Sequence, residues 1–193
     1  MTARTHDTAA LAALLVYVLV YPPGTLTVAT GLAAVLANQL GGIAPDIDQP
    51  TAPLWRNLPI GRYFGRVFGA LVGGHRFFCH SLLGFGVFAA LSMVLLQFLQ
   101  PIMPNIHIHF VWEAFLVGVL SHLIMDSFTK EGVPWLLPIP FKFGFPPIRR
   151  LRVTTGKGVE NFIVLPLLIA LTTWLCASNY TTLTEIIQRN LIR

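Results

Sequence analysis

Apolar residues fall in four long blocks and one shorter one. Leu26 to Pro45, Phe77 to Phe98, Phe110 to Phe128 and Val159 to Ala177 come close to or reach the about 20 helical residues that a hydrocarbon core of about 30 Å requires. The shorter block, Thr8 to Tyr21, ends at Pro22-Pro23, so it either spans with a tilt or forms half of a re-entrant pair; both return the chain to its starting side by Asp46. Pro101 and Pro104 bracket a tight turn between the third and fourth helices, while Asn38, Gln39 and Gly41-Gly42 loosen the end of the second. Two long connections remain, residues 46–76 and 129–158. The first mixes Trp55, Arg56, Arg62, Tyr63, Phe64, Arg66 and Phe68, a composition suited to a membrane interface. The second carries an apolar run, Val133 to Ile148, interrupted by Pro134, Pro138, Pro140, Pro146 and Pro147, which excludes a spanning helix. An interfacial or re-entrant loop is expected there, with a short hairpin around Lys142. The pattern predicts an all-α polytopic membrane helical bundle with about five apolar segments and an interfacial Pro-rich loop, in one domain covering residues 1–193.

Composition strengthens the membrane reading. Of 193 residues, 54% are hydrophobic and 11% charged, and the mean hydropathy is +0.68; soluble domains carry about 25% charge. A net charge of +5 and a pI near 9.7 raise the question of nucleic acid. The basic residues are dispersed among apolar segments instead of forming a stripe, so membrane lipids with anionic headgroups are the expected partner, and no stable nucleic-acid complex is expected. Arg4 before an apolar run imitates a signal peptide, but Tyr21-Pro22-Pro23-Gly24 is a poor cleavage site, and the segment is read as retained. Cys79 and Cys176 fall near opposite faces of such a bundle, which rules out a disulfide between them.

Charge also orients the bundle. With five segments, the N-terminus and both long connections share one face, which then holds every basic residue except Arg189 and Arg193, or 11 of the 13. Positive residues mark the cytoplasmic side. The expected location is a bacterial inner membrane, multi-pass, with the N-terminus cytoplasmic and the C-terminus across the membrane.

On this topology the scarce polar residues converge. His6 precedes the first segment, Asp46 and Asp48 follow the second, His75 and His80 open the third, His122 and Asp126 close the fourth, and Glu160 opens the fifth. Four of six histidines and four of eight acidic residues thus gather on one edge. His122 and Asp126, four apart on a helix, share a face and can reach one cation. An extended Asp46-Ile47-Asp48 would point both carboxylates the same way, one bridging two ions and the other binding one or orienting a histidine. His75 and His80 are five apart, and Gly73-Gly74 allow a helix to begin between them. Imidazole and carboxylate together suit zinc, manganese or iron better than calcium or magnesium. Six or more donors allow two ions about 3.5 to 4 Å apart, and Arg76 is the best-placed cation for a phosphate.

These residues carry a family resemblance. Ala44-Pro45-Asp46-Ile47-Asp48-Gln49-Pro50, Gly74-His75-Arg76 with His80-Ser81-Leu82, and Ser121-His122-Leu123 with Asp126, Thr129, Gly132, Val133 and Pro134 resemble the LexA-regulated inner-membrane metal-dependent hydrolases, from His6 to about Phe162. That family is more remotely similar to zinc-dependent phospholipases C and single-strand nucleases, whose His, Asp and Glu clusters hold several zinc ions. The resemblance implies that His122 and Asp126 form the helical His-x-x-x-Asp pair, that Asp46 or Asp48 bridges, and that Glu160 is a late helical ligand. His6, His75 and His80 supply the remaining histidines. Cys79 stands where threonine is commoner in the family, Gln49 where histidine is, and Phe77 where glycine is.

The expected activity is metal-dependent hydrolysis of a phosphate ester at the cytoplasmic face, with Asp46, Asp48 and Arg76 as catalytic residues. The metal set is His6, Asp46, Asp48, His75, His80, His122, Asp126 and Glu160. A transporter of metal ions or protons using the same cluster is the alternative, against which stand the one-sided placement and the lack of a repeat. His107 and His109 are read as solvated, Glu113 as without a role, Arg149, Arg150 and Arg152 as topology determinants, and Trp112, Trp135 and Trp174 as interface anchors. Substrate, number of ions and oligomeric state are left open by the sequence.

Overall fold

A computed structural model describes residues 1–24, 26–139 and 141–191, with backbone only for Pro53 and residues 189–191. Pro140, Arg193 and the Arg189 side chain of the preceding section lie outside what is described. The elements are α1 (Ala3–Val20), α2 (Val28–Ile43) with a 3-10 turn (Ala44–Asp48), α3 (Pro53–Arg56), α4 (Gly61–Leu71), α5 (Leu82–Leu99), α6 (Ile108–Ser127), α7 (Leu165–Ser178) and α8 (Tyr180–Leu191). Only isolated bridges interrupt the helical pattern among the described residues.

Five stretches among the described residues are long and apolar enough to cross a membrane: Ala3–Val20, Val28–Asp48, Leu82–Ile102, Ile108–Ser127 and Glu160–Ser178. They match the predicted blocks, with shifted ends. The first begins five residues before its apolar run and reaches 18 residues, taking in His6. The third begins at Leu82, because Phe78–His80 forms a 3-10 turn and Ser81 caps the helix, its Oγ accepting from Gly84 N at 3.1 Å.

The tightest crossing joins α2 to α6. A Cβ on Gly41 would stand 2.1 Å from Phe115 O, and one on Gly118 would stand 2.2 Å from Asn38 O. Small residues here let two backbones meet, a usual basis of helix association in lipid. Asn38 Nδ2 also donates to Ala114 O at 3.1 Å across the seam. The sequence reading of Gly41-Gly42 as a loosened helix end is therefore corrected: the pair is a packing surface. Gly118→Val is expected to force the helices apart and cost about 1–3 kcal/mol or more, seen as lost folded yield on size-exclusion chromatography in detergent.

The connection 46–76 folds into α3 and α4. Trp55 Nε1 donates to Ile47 O at 2.7 Å, seating α3 on the 3-10 turn. Helix α4 turns Gly65 and Gly69 inward against Trp55 and Asp48, and exposes Arg62 and Arg66 on one flank and Tyr63, Phe64 and Val67 on another. That three-sided pattern suits a helix lying in a headgroup layer. The Pro-rich segment is a loop closed by a Val133–Phe143 antiparallel bridge, a short hairpin that includes Lys142 next to its closing pair. It exposes Ile139, Phe141 and Phe145 at the same end of the bundle. Past α7 the chain forms α8, beyond the last of the predicted apolar blocks.

Candidate metal centre

The start of α1, the ends of α2 and α6, the turn before α5 and the start of the last span meet at one end of the bundle. His122 and Asp126 sit one turn apart on α6, 0% and 1% exposed. His122 Nδ1 donates to Gly42 O at 2.6 Å. A carbonyl only accepts, so this bond places the proton on Nδ1 and leaves the Nε2 lone pair facing the cluster.

Asp46 and Asp48 lie in the 3-10 turn opened by Pro45, not in the extended strand expected from sequence. The turn makes their carboxylates diverge. Asp48 Oδ1 lies 2.8 Å from His75 Nδ1, and its Oδ2 lies 3.2 Å from His80 Nδ1 while accepting from Arg76 N at 3.1 Å. Asp48 is thereby an orienting group for two histidines, of the kind that fixes ring and tautomer around metal ligands. Asp46 Oδ1 instead lies 3.7 Å from both His80 Nε2 and His122 Nε2. Asp48→Asn is expected to weaken metal binding about 10- to 100-fold while the chain still folds, as read by titration with a competing chelator.

His80 is the hub. Its Nε2 stands 3.3 Å from His122 Nε2, 3.5 Å from Asp126 Oδ2 and 3.7 Å from Asp46 Oδ1. Burial pushes its imidazolium down, but the neighbouring carboxylates of Asp126, Asp46 and Asp48 outweigh that and raise it to about 10. His6 stacks on His122 with centroids 3.7 Å apart, and its Nε2 is 3.3 Å from Asp126 Oδ1 without hydrogen-bond geometry.

Donor atoms within 4.8 Å of one another form three overlapping groups: His6, Asp46 and His122; Asp46, His75 and His80; and His80, His122 and Asp126. Both ring nitrogens of buried His6 lack a hydrogen-bond partner. Buried polar atoms are rarely left so. Two nitrogens about 2.0–2.1 Å from a tetrahedral zinc stand about 3.3–3.4 Å apart, and His80 Nε2 and His122 Nε2 meet that spacing at 3.3 Å. The donor set and its spacing fit a divalent cation.

Besides Asp48, two residues of the predicted set are placed differently from the rest. Glu160 Oε1 accepts from Thr2 N (2.6 Å), Thr2 Oγ1 (2.9 Å) and Thr5 Oγ1 (2.7 Å), and Oε2 from Gly156 N (2.7 Å). With its oxygens engaged, Glu160 joins none of the donor groups and ties α1 to the last span. Arg76 is 4% exposed, and its Nη2 pairs with Asp126 Oδ2 at 2.7 Å while Nη1 donates to Thr129 Oγ1. The Met1 ammonium contacts Asp126 Oδ1. Positive φ at Gly73 (84°), Gly74 (91°) and Arg76 (57°) turns the chain so that His75 and Arg76 both face inward. The parts that sequence reasoning missed are Gly42 O, Thr2, Thr5 and the Met1 ammonium; of the threonines only Thr129 lay within a quoted motif. Cys79 is buried, and burial with the nearby Asp48 charge pushes its thiol up to about 12, which makes it inert; Cys79 and Cys176 are both free.

Comparison with known proteins agrees with this architecture. The inner membrane protein YdjM of Escherichia coli (strain K12) and that of Shigella flexneri are each 32% identical over 133 residues, covering 66% of this chain and 59% of the relative. The chain thus spans less than two thirds of those relatives. The uncharacterized protein YvsG of Bacillus subtilis (strain 168) is 27% identical over 134 residues, 69% of this chain and 72% of its own. No solved structure matches. The YdjM inner membrane protein family matches residues 1–188; with five membrane-length helices, the chain is a bacterial inner-membrane protein and belongs to that family.

Proposed function

We propose that the chain is a membrane-bound metal-dependent hydrolase, a phosphoesterase acting on a phospholipid or other phosphate ester at the cytoplasmic face. The carrying observation is the 3.3 Å approach of His80 Nε2 to His122 Nε2 beside two carboxylates, with buried His6 nitrogens unpartnered. The proposal includes the finer likeness to LexA-regulated metal-dependent hydrolases and, more remotely, to zinc-dependent phospholipases C and single-strand nucleases. The cytoplasmic assignment is supported by the concentration of 11 of 13 basic residues at the site's end.

His6, His75, His80, His122, Asp46 and Asp126 would hold zinc, or else manganese or iron, as one ion or two. Such an ion supplies a Lewis acid that acidifies bound water and polarises a phosphoryl oxygen. Asp48 holds His75 and His80 in the tautomers that direct their Nε2 atoms inward. Asp46, 19% exposed, is the carboxylate open to solvent, and the Oδ atom not engaged on the ion would take the proton. Arg76, fixed on Asp126 and Thr129, steadies developing negative charge. The test is elemental analysis of protein purified in detergent, followed by assays on bis(p-nitrophenyl) phosphate and on phospholipid vesicles. About one or more equivalents of metal and metal-dependent phosphate release support the reading; the absence of stoichiometric metal rejects it.

A further inference from the structure

Two apolar hollows beside α2 join into one furrow. The upper, about 190 Å³, is lined by Ala44, Ile47 and Leu54, and the lower, about 290 Å³, by Ala37, Leu91 and Leu95; both include Leu40 and Phe115. Helix α5 packs on α6 and stands off from α2, so Phe115 of α6 floors the gap. From Ala37 to Ile47 the furrow follows the end of α2 and its 3-10 turn, a rise of about 15 Å, half of a hydrocarbon core about 30 Å thick. It is one leaflet deep.

Its upper end is chemically distinct. Ala44 and Ile47 bracket Asp46, which with His75 (28% exposed) makes up the solvent-facing part of the donor cluster. Leu54 walls the mouth, and Arg56, Arg62 and Arg66 stand exposed on α3 and α4 beyond it. Between Asp48 and Glu113 the sequence has no acidic residue, so the approach to the mouth is cationic. The larger hollow between α1, α6 and α7, about 460 Å³, is lined by apolar residues such as Ala13, Val117 and Leu168, and the donors carried by α1 and α6, namely His6, His122 and Asp126, are each at most 1% exposed.

Resting on the hydrolase reading, we propose that the α2/α5/α6 furrow is the acyl-chain subsite of an anionic phospholipid drawn from the leaflet at the site's end. One chain lies along Leu40 and Phe115, and the phosphate lies at Asp46 and His75 beneath the three arginines. A helix from a second copy would cross both leaflets, whereas this furrow stops half-way across. An acyl chain has the matching depth.

The experiment uses the full chain in phosphatidylcholine vesicles doped with phosphatidic acid that carries a mid-chain diazirine, and a phosphatidylcholine probe with the same chain. After irradiation, labelled peptides are mapped by mass spectrometry and bound metal is measured in parallel. The expected result is labelling concentrated at Leu40, Leu54 and Phe115, about tenfold stronger for phosphatidic acid, and falling about tenfold in Ala37→Phe and in Leu91→Trp. Ala13→Phe, in the other hollow, leaves labelling unchanged, and unchanged metal content certifies the fold. Labelling spread evenly over the outer face of α7, or insensitive to both furrow variants, overturns the proposal. Furrow labelling without phosphate release keeps the subsite and rejects the hydrolase. Equal release from glycerol 3-phosphate and phosphatidic acid, with diffuse labelling, keeps the hydrolase and rejects the subsite.

Discussion

His80→Ala is expected to remove bound metal and lower metal-dependent hydrolysis by about a thousandfold or more. The residue touches every part of the cluster: Nε2 faces His122, Asp126 and Asp46, and Nδ1 faces Asp48. Two of the three donor groups include it, so its loss dismantles both. A metal contributes several kcal/mol to the transition state, and about 1.4 kcal/mol corresponds to a factor of ten. The same residue sets a pH dependence. Its imidazolium, raised from an ordinary 6.5 to about 10, stabilises the metal-free protein fully below about pH 6.5, and that contribution is lost as pH rises through 10. Metal must displace this proton, so affinity rises with pH up to about 10, by about tenfold per unit for one proton released. Elemental analysis and isothermal titration in two buffers of different protonation enthalpy check both statements; an affinity that fell with pH would contradict them.

Arg76→Ala is expected to have the largest effect on stability, about 3–5 kcal/mol, because it leaves a buried carboxylate without its guanidinium. Asp126 is 1% exposed and holds Arg76 Nη2 at 2.7 Å. Arg76 also stands at φ 57°, a conformation that costs a non-glycine residue about 1–2 kcal/mol, so glycine at this position recovers part of the backbone energy and none of the ion pair. Thermal unfolding of detergent-solubilised protein should rank wild type above Arg76→Gly and Arg76→Gly above Arg76→Ala. Added metal should narrow the gap, since a cation on Asp126 replaces the lost charge.

The five spans were legible because hydropathy acts locally: a helix long enough for lipid announces itself in its own residues. The gathering of His6, Asp46, His80, His122 and Asp126 was legible for a related reason, since a chain this apolar has few polar residues and the alternation of spans assigns each an end. Division of labour within the cluster was not. Asp46 and Asp48 differ in role because Pro45 opens a 3-10 turn, and an extended pair would have pointed both one way. Glu160 near a helix start looked like a donor, yet Thr2 and Thr5 reach its carboxylate only through the packing of α1 on the last span. The partner of His122 is a backbone carbonyl, which no side-chain pattern announces. Gly41-Gly42 was misread because glycine signals both a loosened helix and a close approach, and only the facing α6 backbone decides between them.

The Gly42 carbonyl sits in the same seam that Gly41 and Gly118 hold closed, and it alone directs the His122 proton to Nδ1. Helix separation and imidazole protonation are thus one mechanical variable. A substitution that widens the crossing, such as Gly118→Val, is therefore expected to lower ion affinity along with folded yield, and bilayer thickness, acting on the tilt of the same two helices, would reach the His122 imidazole.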